Sequence, residues 1–172
     1  MSAPAWALSL AYWLHMLATI VWIGGLASMS ILVIPAARRA LDTRQYAMLL
    51  GALQARLEPL GWFSIILLVG TGMLQMSASP NYQGFLEIQN RWAAAILLKH
   101  ILFFLMLGIS AYLTWGLFPK LRRLALQQAR GLENPAALEI QSKLLRQESR
   151  LVWANLTLGV LVLLLTAIAR AS

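Results

Sequence analysis

The sequence predicts an all-α integral membrane four-helix bundle, and three observations carry the prediction. Of 172 residues, 60% are hydrophobic and 12% charged, whereas a soluble domain carries about 25% charge. Four apolar stretches each approach or exceed the about 20 residues that cross a bilayer as a helix. Most Lys and Arg residues gather in two of the three connections between those stretches.

The first span is expected at about 7–34, inside an uncharged run over 1–37. That run is longer than a perpendicular crossing needs, so tilt or protrusion is expected. No basic residue precedes the span, as a secretory leader would require, so the span should stay in the mature chain. The connection that follows carries Arg38, Arg39, Arg44 and Arg56. Asp42 and Thr43 can cap a helix there through Tyr46, Leu49, Leu50 and Leu53, with Pro59 expected to kink or end it before the second span at 60–76.

The loop SASPNYQGFLEIQN holds no Lys or Arg, and the third span follows at 92–117. Beyond it lie Lys120, Arg122, Arg123, Arg130, Lys143, Arg146 and Arg150, with Asn134 and Pro135 a helix start leading into the fourth span at 151–169. By the positive-inside rule both termini face outward and both basic connections are cytoplasmic, which places the chain in the cell (inner) membrane. Trp6 and Trp92 then mark the outer interface, and Trp62, Trp115 and Trp153 the inner one. Uninterrupted apolarity, not alternation, marks helices and not barrel strands. The whole chain, 1–172, reads as one four-span domain with helical cytoplasmic extensions and no internal repeat.

Composition also excludes chemistry. There are no cysteines, so disulfides, thiolate metal sites and Cys nucleophiles are absent. The net charge of +8 lies where anionic lipid headgroups are the expected partner, and nucleic acid is not. No carboxylate falls inside a span, so an Asp or Glu proton relay is not expected.

Ionisable residues at membrane depth are costly unless paired, liganded or wet. Here they are His15, Lys99 and His100. His15 lies nine residues in from Trp6 and His100 eight from Trp92, about 12–14 Å each at the helical rise. Spans one and three run in the same direction, so both imidazoles are expected at one level, able to face a shared ligand. A b-type haem suits such a pair, with iron held by His15 and His100. Ala11, Ala18 and Gly25 leave room for a flat ring, Tyr12 and Thr19 can orient the imidazole, and Arg91, Arg170 and Lys99 can pair with propionates.

The alternative for each histidine is a plain hydrogen bond to a neighbouring helix, and Lys99 can equally snorkel or bind a carboxylate or a proton. Met73 and Met76, one turn apart, offer with His15 a softer set suited to Cu(I), or are ordinary packing. Gln75 between them is unusual at that depth. Gly24, Gly25, Ser28, Gly70 and Gly72 are expected to permit close helix approach, and Asn155 and Thr157 to hydrogen-bond between helices.

The stretches LHMLATIVWIGGL around His15, GTG at 70–72, LLKHILFF around Lys99 and the closing RLVWANLTLGVLVLLLTA resemble the copper resistance protein D (CopD) membrane domain over all four spans. The chain is also similar to HemJ-type protoporphyrinogen oxidases, four-span proteins that bind haem b. That second resemblance implies His15 and Lys99 as site residues; neither resemblance extends to His100.

The leading expectation is therefore a haem-b protein in electron transfer or redox chemistry. Copper handling is the alternative, which expects an oligomer because four short spans enclose little. Further alternatives are a porphyrinogen oxidase and an accessory subunit of a larger membrane complex; whether the chain is an enzyme is left open.

Overall fold

A computed structural model describes residues 4–80, 84, 91–129 and 135–171. Most of the loop between spans two and three, Arg130, and the expected cap Asn134 lie outside the described residues. Four long helices span Ala5–Ala40, Thr43–Ser77, Arg91–Gln128 and Pro135–Ala171, and no strand occurs among the described residues. The chain is thus an all-helical, multi-pass membrane protein. At 1.5 Å per residue each helix is about 50 Å long against a hydrocarbon core of about 30 Å. The excess carries the described basic residues of the two connections as helix.

We call the two ends of the bundle the termini end and the basic end. Large apolar side chains face outward along its length, Ile20 at 67% and Ile66 at 68% exposed, which is stable only where lipid is the solvent.

The second helix begins as expected at a capping box. The Asp42 carboxylate accepts from the Gln45 backbone N–H at 2.8 Å, and the Asp42 N–H donates to the Gln45 side chain at 3.3 Å. Thr43 is the first helical residue and not the cap. Pro59 does not end the helix, which runs through it to Ser77. One missing N–H costs a single backbone bond there, within a helix otherwise held by its packing.

Two π-helical turns, at Ser28–Val33 and Tyr112–Leu117, interrupt the first and third helices. Each ends two residues before a proline, Pro35 and Pro119. A proline ring presses on the carbonyl four residues back, and widening the preceding turn relieves that pressure. The N–H of Ile34 accordingly reaches back five residues to Met29, and that of Phe118 to Leu113.

The first helix packs chiefly on the second and the third chiefly on the fourth. The fourth also meets the first, and the second meets the basic end of the third, so helices one and three stand diagonally across the bundle. The larger buried cluster fills the basic end, with Ile34, Tyr46, Leu50, Leu117 and Val152 among its members, and a smaller one at mid-depth joins Trp22, Ile65 and Met106. Toward the termini end the buried residues are alanines, Ala11, Ala18, Ala95 and Ala169, which let backbones approach closely.

The glycines behave differently from the packing expectation. A Cβ at Gly24, Gly25 or Gly70 meets nothing within 4 Å, whereas Gly72 lies against the His15 ring and Gly159 against Met106 and Ile23. Asn155 does bridge helices, donating to Ser110 at 2.9 Å, but Thr157 bonds its own helix at Trp153.

Candidate functional site

At the termini end, His15 meets the second helix. Its Nδ1 lies 2.8 Å from the Thr71 hydroxyl oxygen, and that hydroxyl donates its one proton to the Leu67 carbonyl at 2.5 Å. Thr71 can therefore only accept from the imidazole. This assigns the proton to Nδ1, so that in the neutral imidazole Nε2 holds the lone pair, the state in which a histidine binds a metal. Gly72 makes room for the ring: a Cβ there would sit 3.4 Å from the His15 Cε1. Gln75 fastens the same helix pair one turn on, donating to the Ala11 carbonyl at 3.2 Å.

The other two helices contribute cations. Lys99 and Arg170 both lie within electrostatic reach of His15 and of each other. The Arg170 guanidinium rests 5.0 Å over the Tyr12 ring, a cation–π contact of about 0.5–2 kcal/mol. All four helices thus meet around His15. The described carboxylates, Asp42, Glu58, Glu139 and Glu148, all belong to the basic half of the chain's helices. The cluster is electropositive among the described residues.

The remaining sequence-predicted residues fall elsewhere. His100 holds its Nδ1 2.7 Å from the Ile96 carbonyl on its own helix, which likewise places the proton on Nδ1. Trp22 and Phe103 meet edge to face at 5.7 Å, fixing the relative level of helices one and three. The structure puts Lys99 and Arg170 within electrostatic reach of His15 and ties His100 to the Ile96 carbonyl of its own helix.

Arg91 is exposed at the start of the third helix, Met73 is 60% exposed toward lipid and Met16 54%, while Met76 is half-buried. Ala11 and Ala18, expected to leave a slot for a flat ring, are buried by neighbouring helices. Thr19 bonds the His15 carbonyl, not its ring, and Tyr12 serves Arg170. Among the described residues no three His, Cys, Asp or Glu side chains converge on a metal position.

Sequence reasoning missed Thr71, although a hydroxyl residue between two glycines inside an apolar span was a legible signal. It also missed Glu148, three residues ahead of the fourth span yet 1% exposed.

The family model for copper resistance protein D matches residues 51–169, a stretch that holds Thr71, Gly72, Gln75 and Lys99 and begins after His15. No curated protein and no solved structure matches the chain.

Proposed function

The chain belongs to the copper resistance protein D family, and from that premise we propose that it handles copper within the membrane, with His15 as the nitrogen donor. The observation that carries the reading is the Thr71 contact, which holds the imidazole in its metal-binding tautomer. A second donor of the right softness is near in register. Met76 lies one turn beyond Gly72 on the same helix face and is half-buried, and a thioether beside an imidazole, with no thiol, favours Cu(I).

Copper here is cargo. Lys99 and Arg170 make the site a weak holder of a cation: like unit charges repel by about 4 kcal/mol at 4 Å in a surroundings of effective dielectric 20, and less with distance. Weak holding suits a protein that passes metal on. By the positive-inside rule the basic end is cytoplasmic, so His15 stands in the outer half of the bilayer. Four spans enclose little, and the route is expected between copies of the chain.

One observation favours a second reading. Lys99 and Arg170 beside an imidazole are what the propionates of haem b require. That reading keeps His15 as the iron ligand and gives up His100 as its partner, because the His100 ring is tied to the Ile96 carbonyl of its own helix and Ala11 and Ala18 are buried. The family match favours copper over haem.

Purified protein titrated with Cu(I) against a chromogenic chelator separates the readings. Copper handling expects binding that His15→Ala abolishes, Met76→Leu weakens and His100→Ala leaves intact. A Soret band from haem-replete cells that disappears in His15→Ala would move the assignment to haem. Failure to compete for Cu(I), with copper tolerance unchanged on deletion of the chain, would end the copper reading.

A further inference from the structure

A cavity of about 160 Å³ lies between the helices in the basic half, away from His15. Its walls are mainly apolar, with Trp22, Leu26, Trp62 and Ile65 among them, and they include the buried carboxyl of Glu148, which accepts from the Tyr46 hydroxyl at 3.5 Å. An apolar protein cavity of about 150 Å³ accommodates a benzene ring, so this one has the volume of a single six-membered ring. It reaches the surface at Val21, Leu57 and Leu60, which are 45%, 37% and 52% exposed, so Val21 and Leu60 open it toward lipid.

Two polar atoms of its lining have no partner. Asn155, 0% exposed, gives its amide N–H to Ser110, and its Oδ1 accepts nothing; the Nε2 of Gln54 is buried and donates to nothing. A buried unpaired polar group costs about 1–3 kcal/mol, and such groups call for an explanation in a ligand or water. Both π-helical turns border the same space, through Met29 on the first and Leu113 and Thr114 on the second. Such turns recur at functional sites.

We propose that this cavity binds the ring of a membrane-dissolved quinol, its tail trailing into lipid between Val21 and Leu60. An acyl chain fills apolar volume but answers neither polar atom. A phenolic hydroxyl both donates, as Asn155 Oδ1 requires, and accepts, as Gln54 Nε2 requires. An oxidised quinone only accepts, so the site prefers the reduced ring. The proposal concerns binding alone and stands whether the His15 site holds copper or haem.

Full-length protein in lipid nanodiscs, titrated with a short-tailed benzoquinol and with its dimethyl ether, tests it through the fluorescence of Trp22 and Trp62. The quinol is expected to saturate the signal, and the ether, which cannot donate, to bind about tenfold more weakly. Asn155→Leu is expected to erase that difference. Gly61→Leu, which places a side chain in the cavity beside Trp22 and removes no hydrogen bond, is expected to abolish saturation. Equal binding of quinol and ether by the wild-type chain, a response linear in ligand and unchanged in Gly61→Leu, or a quinol-soaked structure holding only ordered water between Gln54 and Asn155 would each overturn the proposal.

Discussion

The two ends of the bundle solve the burial of polar groups in opposite ways. At the basic end polar residues are knotted together. The Arg38 guanidinium donates to the Leu145 carbonyl at 2.7 Å and lies 5.7 Å over the Tyr46 ring, the Tyr46 hydroxyl reaches Glu148 at 3.5 Å, and Gln128 donates to Gln141 at 2.6 Å. Glu148 and Gln141 are 1% and 0% exposed, and Glu148 also lines the cavity of the basic half. At the termini end, His15 has one ring nitrogen fastened and the other carrying a free lone pair, two cations stand near it, and alanines supply the packing. Bonds of this kind between helices fix their relation, although the Gln141 Nε2 stays unpaired among the described residues, whereas the His15 contact leaves a ring nitrogen for chemistry. The difference teaches where stability and chemistry reside: one end holds the bundle, the other offers a donor.

The sharpest way to break that division is a pair of truncations. Leu50→Ala, in the basic-end core, is expected to cost about 2–5 kcal/mol with copper affinity unchanged, while His15→Ala removes copper binding and moves the melting temperature little. Thermal unfolding in detergent beside Cu(I) titration reads both. If His15→Ala unfolds the chain as readily as Leu50→Ala, the termini end is structural after all. Arg38→Met comes next. It strips a donor from the Leu145 carbonyl and the nearest described cation from Glu148, and about 1.5–3 kcal/mol of stability should be lost in the same melting assay.

Thr71→Val sharpens the comparison from the other end. An interhelical membrane hydrogen bond averages about 0.6 kcal/mol, so stability should barely change. Freed from Thr71, the imidazole loses its fixed tautomer, and affinity for Cu(I) should fall about 10-fold or more, as for other residues that orient a ligand. Equal copper affinity in Thr71→Val would deny the tautomer its role. The smallest effect is expected from Lys143→Ala. The pair it forms with Glu139 at 2.7 Å is about two-thirds exposed on both sides, and loss of such a pair costs about 0–1 kcal/mol.

The elements were legible in advance because the bilayer imposes length and apolarity on each span separately. The Asp42 start could be read from local chemistry, and so could His15 and Lys99 as costly residues at depth. Pro59 was expected to kink or end the helix, and that it does not end it could not be read from sequence, which shows a missing donor but not the contacts that carry a helix past it. The π turns had a signal in Pro35 and Pro119, though a proline alone does not say whether a helix ends, kinks or widens. The partners of the two histidine rings, Thr71 for His15 and the Ile96 carbonyl for His100, are set by packing, which no residue count supplies.

By itself, then, the sequence determined four apolar helices, their basic and uncharged connections, and the residues too polar to be idle among them. Tertiary structure decided which of those residues meet. It set His15 against Thr71 and Gly72, brought Lys99 and Arg170 to it from the third and fourth helices, and left His100 on the diagonal. The physical reason is one of range: solvation by lipid acts on each segment alone, whereas a tautomer, a buried carboxylate or a cavity exists only through neighbours that lie tens of residues away in the chain.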